Sequence, residues 1–567
     1  MLNKSTYAEE FSSLQEIASH YEDNQDLQAD VKNALDVRDR FDIKVIVVGH
    51  FNAGKSSLLN GLLGKPGFLA EAQLPQTSIA AELHYAEAEA AYAYTVQGDA
   101  EPFSSNKSYL PDAYNHIAFY LPSDGLRKVS DFTLVDTPGF DSGIENHEKA
   151  LTLYSGCGSV YLLVIDIERG CIDEVSLNKL KSISMECNRV AVLFNKCDKV
   201  TVEDAERVVS LAKQTLELNM LPCPVYTISK HDEDVADKLV SVVTDFDAQS
   251  IYDEKMRREL CSAAQSLCSV LKAARSKLYL DTYDFDVEIH NSERAKKALL
   301  EKLDSKRASW IDGLAQEVDE VMRSVQAALQ SKASQVAEAM VIGNSAGVQA
   351  IISETVRQTL TASMRDLTGN MMSELVRTLD FSGFSHSDTD SVDWSAMLQD
   401  FYARLKETLE EGKFVSDNTE KRENKRNAVR RDITTVLAVA TDFIAPVLEA
   451  IIIFLPDIVK LCKSLFGETK QEKAKHQFEA AVIPQITEKL YPQVQEAVHA
   501  NAQTLLENTQ AWIEEKINAV NRTLFGAQEK KAASVAAYEQ YLAQLAQDIE
   551  QLEFITQNIG GTKVETL

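Results

Sequence analysis

Residues 44–64 constrain the fold more than any other part of the sequence. They read KVIVVGHFNAGKSSLLNGLLG. A β-branched run ends at Gly49, a glycine-containing loop follows, and a helical run starts at Lys55. Glycines let the backbone curl so that its N–H groups point inward, and the following helix adds the positive end of its dipole. This order of strand, loop and helix is that of a phosphate-binding loop, so it predicts an α/β domain.

Further β-branched runs recur over residues 41–247, separated by helical stretches. Buried runs of this kind predict a mainly parallel sheet. The predicted strands are residues 44–48, 132–135, 160–165, 190–194 and 225–228.

Helical periodicity dominates the rest of the chain. Residues 1–40 form a predicted N-terminal helical segment that packs with a stalk, residues 248–432 form the stalk, and residues 467–567 return along it. Apolar residues between 303 and 329 fall three or four apart, and a helix over residues 292–340 would be roughly 75 Å long. We therefore expect an antiparallel helical bundle beside the α/β domain.

Two stretches interrupt this helical pattern. Residues 380–393 are rich in Ser, Asp and Gly, which predicts a flexible loop. Residues 343–347 read GNSAG, which indicates a plain turn between helices, with a hinge as the alternative.

Length and charge narrow the class of protein. A chain of 567 residues is too long for one hydrophobic core, so we expect two or more domains. A formal charge of −28 repels nucleic acid and disfavours it as a partner. The 8 cysteines lack the paired spacing of zinc ligands, and the first residues lack a signal-peptide core. We therefore expect a cytoplasmic protein with reduced thiols.

The phosphate-binding loop predicts specific roles. Lys55 is expected to reach the β- and γ-phosphates, and the Ser56 hydroxyl to ligate Mg²⁺. Asp136 in the sequence VDTPG adds a second oxygen ligand for Mg²⁺, and the Gly139 N–H is placed to sense the γ-phosphate. The predicted nucleotide-binding residues of this region are Gly49, Phe51, Asn52, Ala53, Gly54, Lys55, Ser56 and Ser57.

The sequence NKCD at residues 195–198 predicts which base is bound. The Asp198 carboxylate can accept from both N1–H and the N2 amine of guanine, a donor pair that adenine lacks, so an ATPase is disfavoured. Asn195 supports the loop and Lys196 lies along the base. Ser229 and Lys230 fit the short loop that closes over the base, which is a weaker signal. Each motif alone could be a surface turn, but their order makes chance an unlikely origin.

Thr77 lies in the sequence LPQTS between the first two motifs. A threonine on a mobile loop can complete the Mg²⁺ shell when the γ-phosphate is present and release it afterwards. Ser78 is the rival candidate, and a structural turn is the alternative to both.

These stretches together, GHFNAGKSSLLNGLLG, LPQTS, VDTPGF and NKCD, resemble the dynamin superfamily and within it the bacterial dynamin-like proteins. The resemblance is strong over residues 40–230 and rests on architecture beyond them. It implies a large GTPase that takes GTP, GDP and Mg²⁺, self-associates through its GTPase domains or with related partners, and binds membrane lipid.

The resemblance also places catalysis within the phosphate-binding loop. Phe140 follows DTPG where small GTPases have a glutamine that positions water, and phenylalanine cannot do this. Asn52, Lys55 and Thr77 are therefore the predicted catalytic residues. Because Phe51 is bulky at this place, the sequence predicts nucleotide binding more strongly than turnover.

Residues 433–466 are the most apolar stretch, and a basic cluster that includes Arg430 and Arg431 precedes them. Such an apolar hairpin beside cations resembles a membrane paddle, with Ile452, Phe454 and Leu455 as candidate lipid contacts. The alternative is a hairpin buried in the bundle. The sequence thus predicts a GTPase peripherally associated with membranes, or else a nucleotide-gated scaffold that hydrolyses little.

Overall fold

The structure is a computed structural model that describes most of the chain with side chains. The described residues are 2–69, 79–96, 98–105, 107–110, 113–139, 158–187, 189–278, 285–381, 394–411 and 471–560. Residues 382–393 of the loop predicted over 380–393 lie outside the described residues, and so do all of the apolar residues 433–466. The loop and the apolar hairpin therefore stay predictions. Among the described helices, none combines the length and apolarity needed to span a membrane.

One sheet organises the first part of the chain, and nine strands of it lie within the described residues. Their order across the sheet is β4-β3-β5-β2-β6-β1-β7-β8-β9. The strands are β1 Ile43–Gly49, β2 Ala80–Tyr85, β3 Ala90–Thr95, β4 Ala100–Pro102, β5 Tyr114–Leu121, β6 Phe132–Asp136, β7 Val160–Asp166, β8 Val190–Asn195 and β9 Val225–Thr227.

Five neighbouring strands form the parallel half of the sheet, in the spatial order β6, β1, β7, β8 and β9, and each pairs in parallel with the next. Strand β2 runs antiparallel to β6 and starts an extension through β5, β3 and β4. The predicted fold class, a mainly parallel α/β domain followed by long helices, is confirmed. The extension was not predicted, since its strands lack β-branched runs.

Helices cover both faces of the parallel half. They are α3 Lys55–Leu63, α4 Asp124–Lys128, α5 Glu174–Glu186, α6 Val202–Leu218 and α7 Val235–Thr244. Successive strand residues point to opposite faces, so Val45 and Val47 pack with α3 and α7 in one buried cluster. Ile46 and Val48 pack with α5 and α6 in another.

The remaining helices are long. They are α1 Ala8–Ser19 and α2 Gln25–Arg40 before the sheet, and α8 Ala248–Leu278, α9 Phe285–Ser331, α10 Ala333–Ile342, α11 Ser345–Thr378, α12 Trp394–Glu411, α13 Gln471–Gln477, α14 Ile483–Ala533 and α15 Val535–Gly560 after it. A π-helical turn, Phe478–Val482, joins α13 to α14. We call α8 to α15 the bundle.

The long helix expected over residues 292–340 is present but interrupted. Helix α9 has 47 residues and ends at Ser331, whose hydroxyl donates to the Ala328 carbonyl at 2.6 Å. A serine that bonds to its own helix backbone in this way competes with the helical hydrogen bonds. Helix α10 then ends at Gly343, whose φ of 78° suits glycine, and Asn344 caps α11. The structure thus shows a turn at residues 343–344, and residues 345–347 form the first turn of α11.

Polar hydrogen bonds between helices, one of them buried in the core, mark the register of the bundle. Helices α9 and α14 run antiparallel, with Lys296 Nζ 3.1 Å from Asn518 Oδ1 and Tyr491 OH 2.9 Å from Asp319 Oδ1. In the core, Asn501 Nδ2 donates to Thr368 Oγ1 at 2.7 Å, which joins α14 to α11. Because an unpaired polar group is costly in such surroundings, these bonds disfavour slipped alignments.

Helices α1 and α2 lie against the last two helices of the bundle. Lys516 Nζ of α14 is 2.5 Å from Asp30 Oδ2 of α2, and both side chains are buried. Tyr21 OH donates to Asp548 Oδ2 of α15 at 2.8 Å, and Asn24 Nδ2 to the Ala519 carbonyl at 2.8 Å. The segment before the sheet is therefore held by residues 516 and 519 of α14 and residue 548 of α15.

The bundle also contacts the α/β domain at its side. Gln358 Nε2 of α11 donates to the backbone carbonyl of Asn178 in α5 at 2.7 Å. Helix α5 thus packs on the sheet with one face and meets the bundle with another.

Candidate nucleotide-binding site

The loop between β1 and α3 has the shape that its glycines permit. Gly54 has φ of 94° at the start of α3, and Asn52 has φ of 64°. A Cβ added to Gly49 would lie 2.3 Å from the carbonyl oxygen of Val164 in β7. The glycines therefore allow a tight loop that ends at a helix N-terminus, where backbone N–H groups favour anions.

Lys55 closes this loop with its side chain. Its ammonium donates to the carbonyl oxygens of Gly49 at 3.0 Å and His50 at 3.1 Å, and the residue is buried. A buried ammonium across an arc of N–H groups makes the loop strongly electropositive. Such a site suits phosphate oxygens.

A hydroxyl and a carboxylate meet beside the loop. Ser56 Oγ donates to Asp136 Oδ2 at 2.6 Å, and Asp136 is fully buried at the end of β6. Thr137 Oγ1 donates to the Val47 carbonyl at 2.7 Å, which fixes the turn that follows. Hard oxygen ligands of this kind fit Mg²⁺, which takes its other ligands from phosphates and water. Among the described residues there is no group of three or more His, Cys, Asp or Glu side chains placed to hold a metal.

Gly139 lies against the phosphate loop. A Cβ at this position would be 2.6 Å from both the N and the Cα of Phe51. Only glycine therefore lets the segment after Asp136 approach the loop this closely. The structure brings together the segment expected to sense the γ-phosphate and the loop expected to hold it.

The predicted base-reading loop is attached to the phosphate loop by two hydrogen bonds. Asn195 Nδ2 donates to the Ala53 carbonyl at 2.8 Å, and Lys196 Nζ donates to the Asn52 carbonyl at 2.7 Å. Lys196 has φ of 63° and also pairs with Asp166 Oδ2 at 2.6 Å. The two loops thus form one continuous edge at the ends of β1, β7 and β8.

Asp198 is exposed at this edge, and Ser229 orients it. The buried Ser229 hydroxyl donates to Asp198 Oδ1, and this bond holds the pKa of the Asp198 carboxyl below its ordinary value. The carboxylate is therefore ionised and able to accept two N–H bonds from one ligand edge. Lys230 is exposed beside it.

Other predicted residues are less constrained. Phe51 is 52% exposed, Asn52 is exposed next to it, and Ser57 is exposed on the first turn of α3. Thr77 and Phe140 lie outside the described residues, as do Arg430, Arg431, Ile452, Phe454 and Leu455. Their roles stay predictions.

Three residues that support the site are not predicted from the sequence. Asp166 pairs with Lys196, Thr137 fixes the turn after Asp136, and His50 anchors the loop to α5. Asp166 and Thr137 each stand at or just after the end of a predicted strand, which is a usable signal. His50 also follows a strand, β1, but its partners lie 123 and 126 residues away, and no local pattern indicates them.

The fold and the loop between β1 and α3 are those of a P-loop protein, and sequence comparison identifies a family of GTP-binding proteins. The family described as elongation factor Tu GTP binding domain matches residues 42–457. The chain therefore belongs to this family of GTP-binding proteins. Over part of its length it is similar to a bacterial dynamin-like protein, which agrees with the resemblance seen in the sequence.

Two curated relatives are similar over parts of their length. Dynamin-like protein 2 of Campylobacter jejuni is 25% identical over 262 residues, which are 43% of this chain and 40% of the relative. A probable chloroplastic transmembrane GTPase, FZO-like, of Arabidopsis thaliana is 25% identical over 191 residues, which are 33% of this chain and 19% of the relative. The matches thus span less than half of each relative.

Solved structures show weaker similarity. A chain of an oligomerised bacterial dynamin pair, described as a mechanism for long-range sensing and tethering of membranes, has a TM-score of 0.32 at 13% identity, covering 94% of this chain and 91% of its own. Era of Aquifex aeolicus bound to GDP and AlF4⁻ has a TM-score of 0.22 at 16% identity, covering 40% of this chain and 67% of its own.

Proposed function

We propose that this protein binds GTP and GDP with Mg²⁺, hydrolyses GTP, and couples the nucleotide state to self-association on membrane lipid. One observation carries the proposal: the Asn195 and Lys196 side chains bond to the carbonyls of Ala53 and Asn52. A single ligand that spans both loops would place phosphates at Lys55 and a base at Asp198. Guanosine nucleotides have this shape and the required N–H donors.

Recognition of guanine rests on Asp198. Its ionised carboxylate, held by Ser229, would accept from N1–H and N2–H of guanine. An Asp198→Asn chain should lose its preference for GTP over ATP by at least about tenfold, because an amide mismatches one of these donors. Competition of ATP and GTP against a fluorescent GDP measures the preference. If the variant keeps the full preference, another residue reads the base.

Magnesium would be held by Ser56 and Asp136, with Thr77 as the proposed third ligand. When bound, the ion supplies positive charge that neutralises the phosphates. Ser56→Ala removes the hydroxyl that meets Asp136 and should weaken GTP binding in Mg²⁺ much more than in EDTA. Equal weakening under both conditions would contradict this assignment.

Hydrolysis would be organised by the phosphate loop. Lys55 stabilises the phosphate charge, and Asn52 presents its side chain from a left-handed, exposed backbone position. Asn52 can therefore reach a water or a phosphate oxygen, or the same group of a second copy placed across the site. GTP turnover should rise with protein concentration if a second copy completes the site.

The exposed Phe51 favours a second candidate function, a nucleotide-gated scaffold with little hydrolysis. A phenyl group cannot position water at this place in the loop. Steady-state GTP turnover, measured against protein concentration with and without anionic liposomes, separates the two functions. A rate near zero at every protein concentration, with and without liposomes and with nucleotide binding retained, would overturn the enzyme and leave the scaffold.

Membrane binding is proposed for residues 433–466 and the cations before them. Ile452→Glu with Leu455→Glu should abolish co-sedimentation with anionic liposomes, because a charge is costly in hydrocarbon. Arg430→Ala with Arg431→Ala should weaken it by a smaller, salt-dependent amount. Unchanged sedimentation of the double glutamate variant would show that lipid is bound elsewhere or not at all.

A further inference from the structure

His50 lies inside the phosphate loop but its side chain points away from the loop. The residue is 2% exposed. Its ring Nε2 is 2.9 Å from Ser176 Oγ and 3.1 Å from Asp173 Oδ2, both at the start of α5. The backbone carbonyl of the same residue accepts from Lys55 Nζ at 3.1 Å. His50 is thus held at one end by the phosphate-binding lysine and at the other by α5.

The partners of His50 are the residues that start α5. Asp173 is the N-cap of this helix, and its Oδ1 accepts from the Ser176 backbone N–H at 2.8 Å. Burial alone would raise the pKa of the Asp173 carboxyl. The hydrogen bonds from His50 and Ser176 and the charge of His50 outweigh this effect, so the pKa lies well below its ordinary value. A shift of the His50 ring would therefore disturb the cap, which anchors the first turn of the helix.

The next turn of α5 meets the bundle. The Asn178 carbonyl accepts from Gln358 Nε2 at 2.7 Å, and Gln358 is braced in turn by Glu354 Oε1 at 3.0 Å. Glu354 also forms a paired contact with Arg357, at 2.6 Å and 3.0 Å. Lys179, next to Asn178, is buried. Ser176, which contacts His50, and Asn178, which contacts α11, are two positions apart along α5.

We propose that His50 is a positioning residue that couples the phosphate loop to bundle helix α11 through the first two turns of α5. The inference rests on the proposed nucleotide site and adds a route by which that site and the bundle influence each other. Coupling of two sites is reciprocal, so the contact at Gln358 affects nucleotide binding as much as the nucleotide affects the contact. His50 links these two effects, because its backbone carbonyl contacts Lys55 of the phosphate loop and its side chain contacts the start of α5.

A plain packing role for His50 makes a different prediction. If the imidazole only fills a buried space, its removal lowers stability and leaves the effect of Gln358 on the nucleotide unchanged. If it couples the two sites, the effects of His50 and Gln358 are not additive.

Dissociation of a fluorescent GDP, followed by stopped flow on the full chain, tests the coupling. Gln358→Ala should accelerate GDP release by about threefold to tenfold, the range of one net hydrogen bond. In a His50→Ala background the same change should accelerate release by less than about 1.5-fold. His50→Gln, whose amide nitrogen can replace Nε2, should restore the sensitivity to Gln358→Ala. Asn370→Ala, an exposed site on α11, is the matched control and should leave the rate unchanged.

Equal acceleration by Gln358→Ala in both backgrounds, or none in the native background, would overturn the coupling. Absence of GDP binding in the unsubstituted chain would instead overturn the proposed nucleotide site. If His50→Ala does not fold, hydrogen–deuterium exchange of the native chain with and without GDP decides. Nucleotide-dependent exchange is expected in both residues 174–186 and residues 345–378, and no change in the second range would refute the proposal.

Discussion

The two halves of the nine-stranded sheet bury different kinds of residue. The parallel half, from β6 to β9, is filled by aliphatic side chains and lies between helices on both faces. In the extension, the face that continues from Ile46 and Val48 carries polar and aromatic side chains, with Glu82 of β2 at its centre. The nucleotide loops all emerge from the first half. One half of the sheet therefore carries the site, while one face of the other half buries a cluster of charges and its opposite face is apolar.

The charge cluster in the extension is closely paired. Glu82 Oε1 is 2.5 Å from Lys44 Nζ, and Glu82 Oε2 is 3.0 Å from His84 Nε2 and 3.6 Å from His116 Nε2. Burial raises the pKa of Glu82, but bonds from His84 and Lys44 and the charge of Lys44 outweigh it, so the pKa lies below its ordinary value. Buried charges of this kind are costly to break and give specificity more than net stability.

The largest expected effect is on the stability of this cluster. Glu82→Ala removes the carboxylate that Lys44 and both imidazoles share, and should lower the free energy of unfolding by about 3–5 kcal/mol. Urea denaturation of the full chain measures it. Glu89→Ala, which breaks an exposed ion pair with Lys65, is the matched control and should have a much smaller effect. If Glu82→Ala is as mild as the control, the two halves do not differ as described.

The next effect concerns the parallel half and falls on nucleotide affinity. Lys55→Ala removes the ammonium that spans the phosphate loop, and should weaken GDP and GTP binding by about 100-fold. Titration of a fluorescent GDP measures the affinity, and thermal unfolding measures the stability. Lys65→Ala, an exposed lysine just after α3, serves as control. Affinity lost equally in both variants would show that general charge, not the loop, binds the nucleotide.

A smaller effect is expected from pH. Burial lowers the pKa of His116 to about 4, from an ordinary value near 6.5. The unfolded chain therefore binds a proton at His116 between these values and the folded chain does not, so stability is full above pH 6.5 and falls as the pH drops toward 4. Between pH 7.5 and pH 5 the loss from this residue is about 2 kcal/mol.

His116→Gln should remove this part of the pH dependence. The free energy of unfolding at pH 7.5 and pH 5, compared between the native chain and the variant, measures it. An equal loss between the two pH values in both chains would assign the acid sensitivity to other groups, since Glu82, Lys44 and His84 also face His116.

The comparison of the two halves also explains what the sequence could predict. The parallel strands are β-branched runs, such as Val45–Val48 in β1, and such runs predict strands from the sequence alone. Strands β2 and β3 read AAELHY and AAYAYT, where alanine and charged residues have low strand propensity. They form strands because neighbouring strands pair with them, which a local pattern does not reveal.

The site shows the same division. The loops at Lys55, Asp136 and Asn195 follow predicted strands directly, so parallel strand order alone brings them together. The contacts of His50 with Asp173 and of Gln358 with Asn178 join residues 123 and 180 positions apart. No local spacing signals such pairs, and they became visible only in the packed structure.

The buried pair of Asp30 and Lys516 has a consequence for how the chain is made. The two residues are 486 positions apart, and α2 leads directly into the first strand of the sheet. During synthesis the α/β domain can form while Asp30 still lacks its lysine. Contacts so distant in sequence form late in folding. We therefore expect α1 and α2 to reach their final positions last, only after residue 516 has left the ribosome.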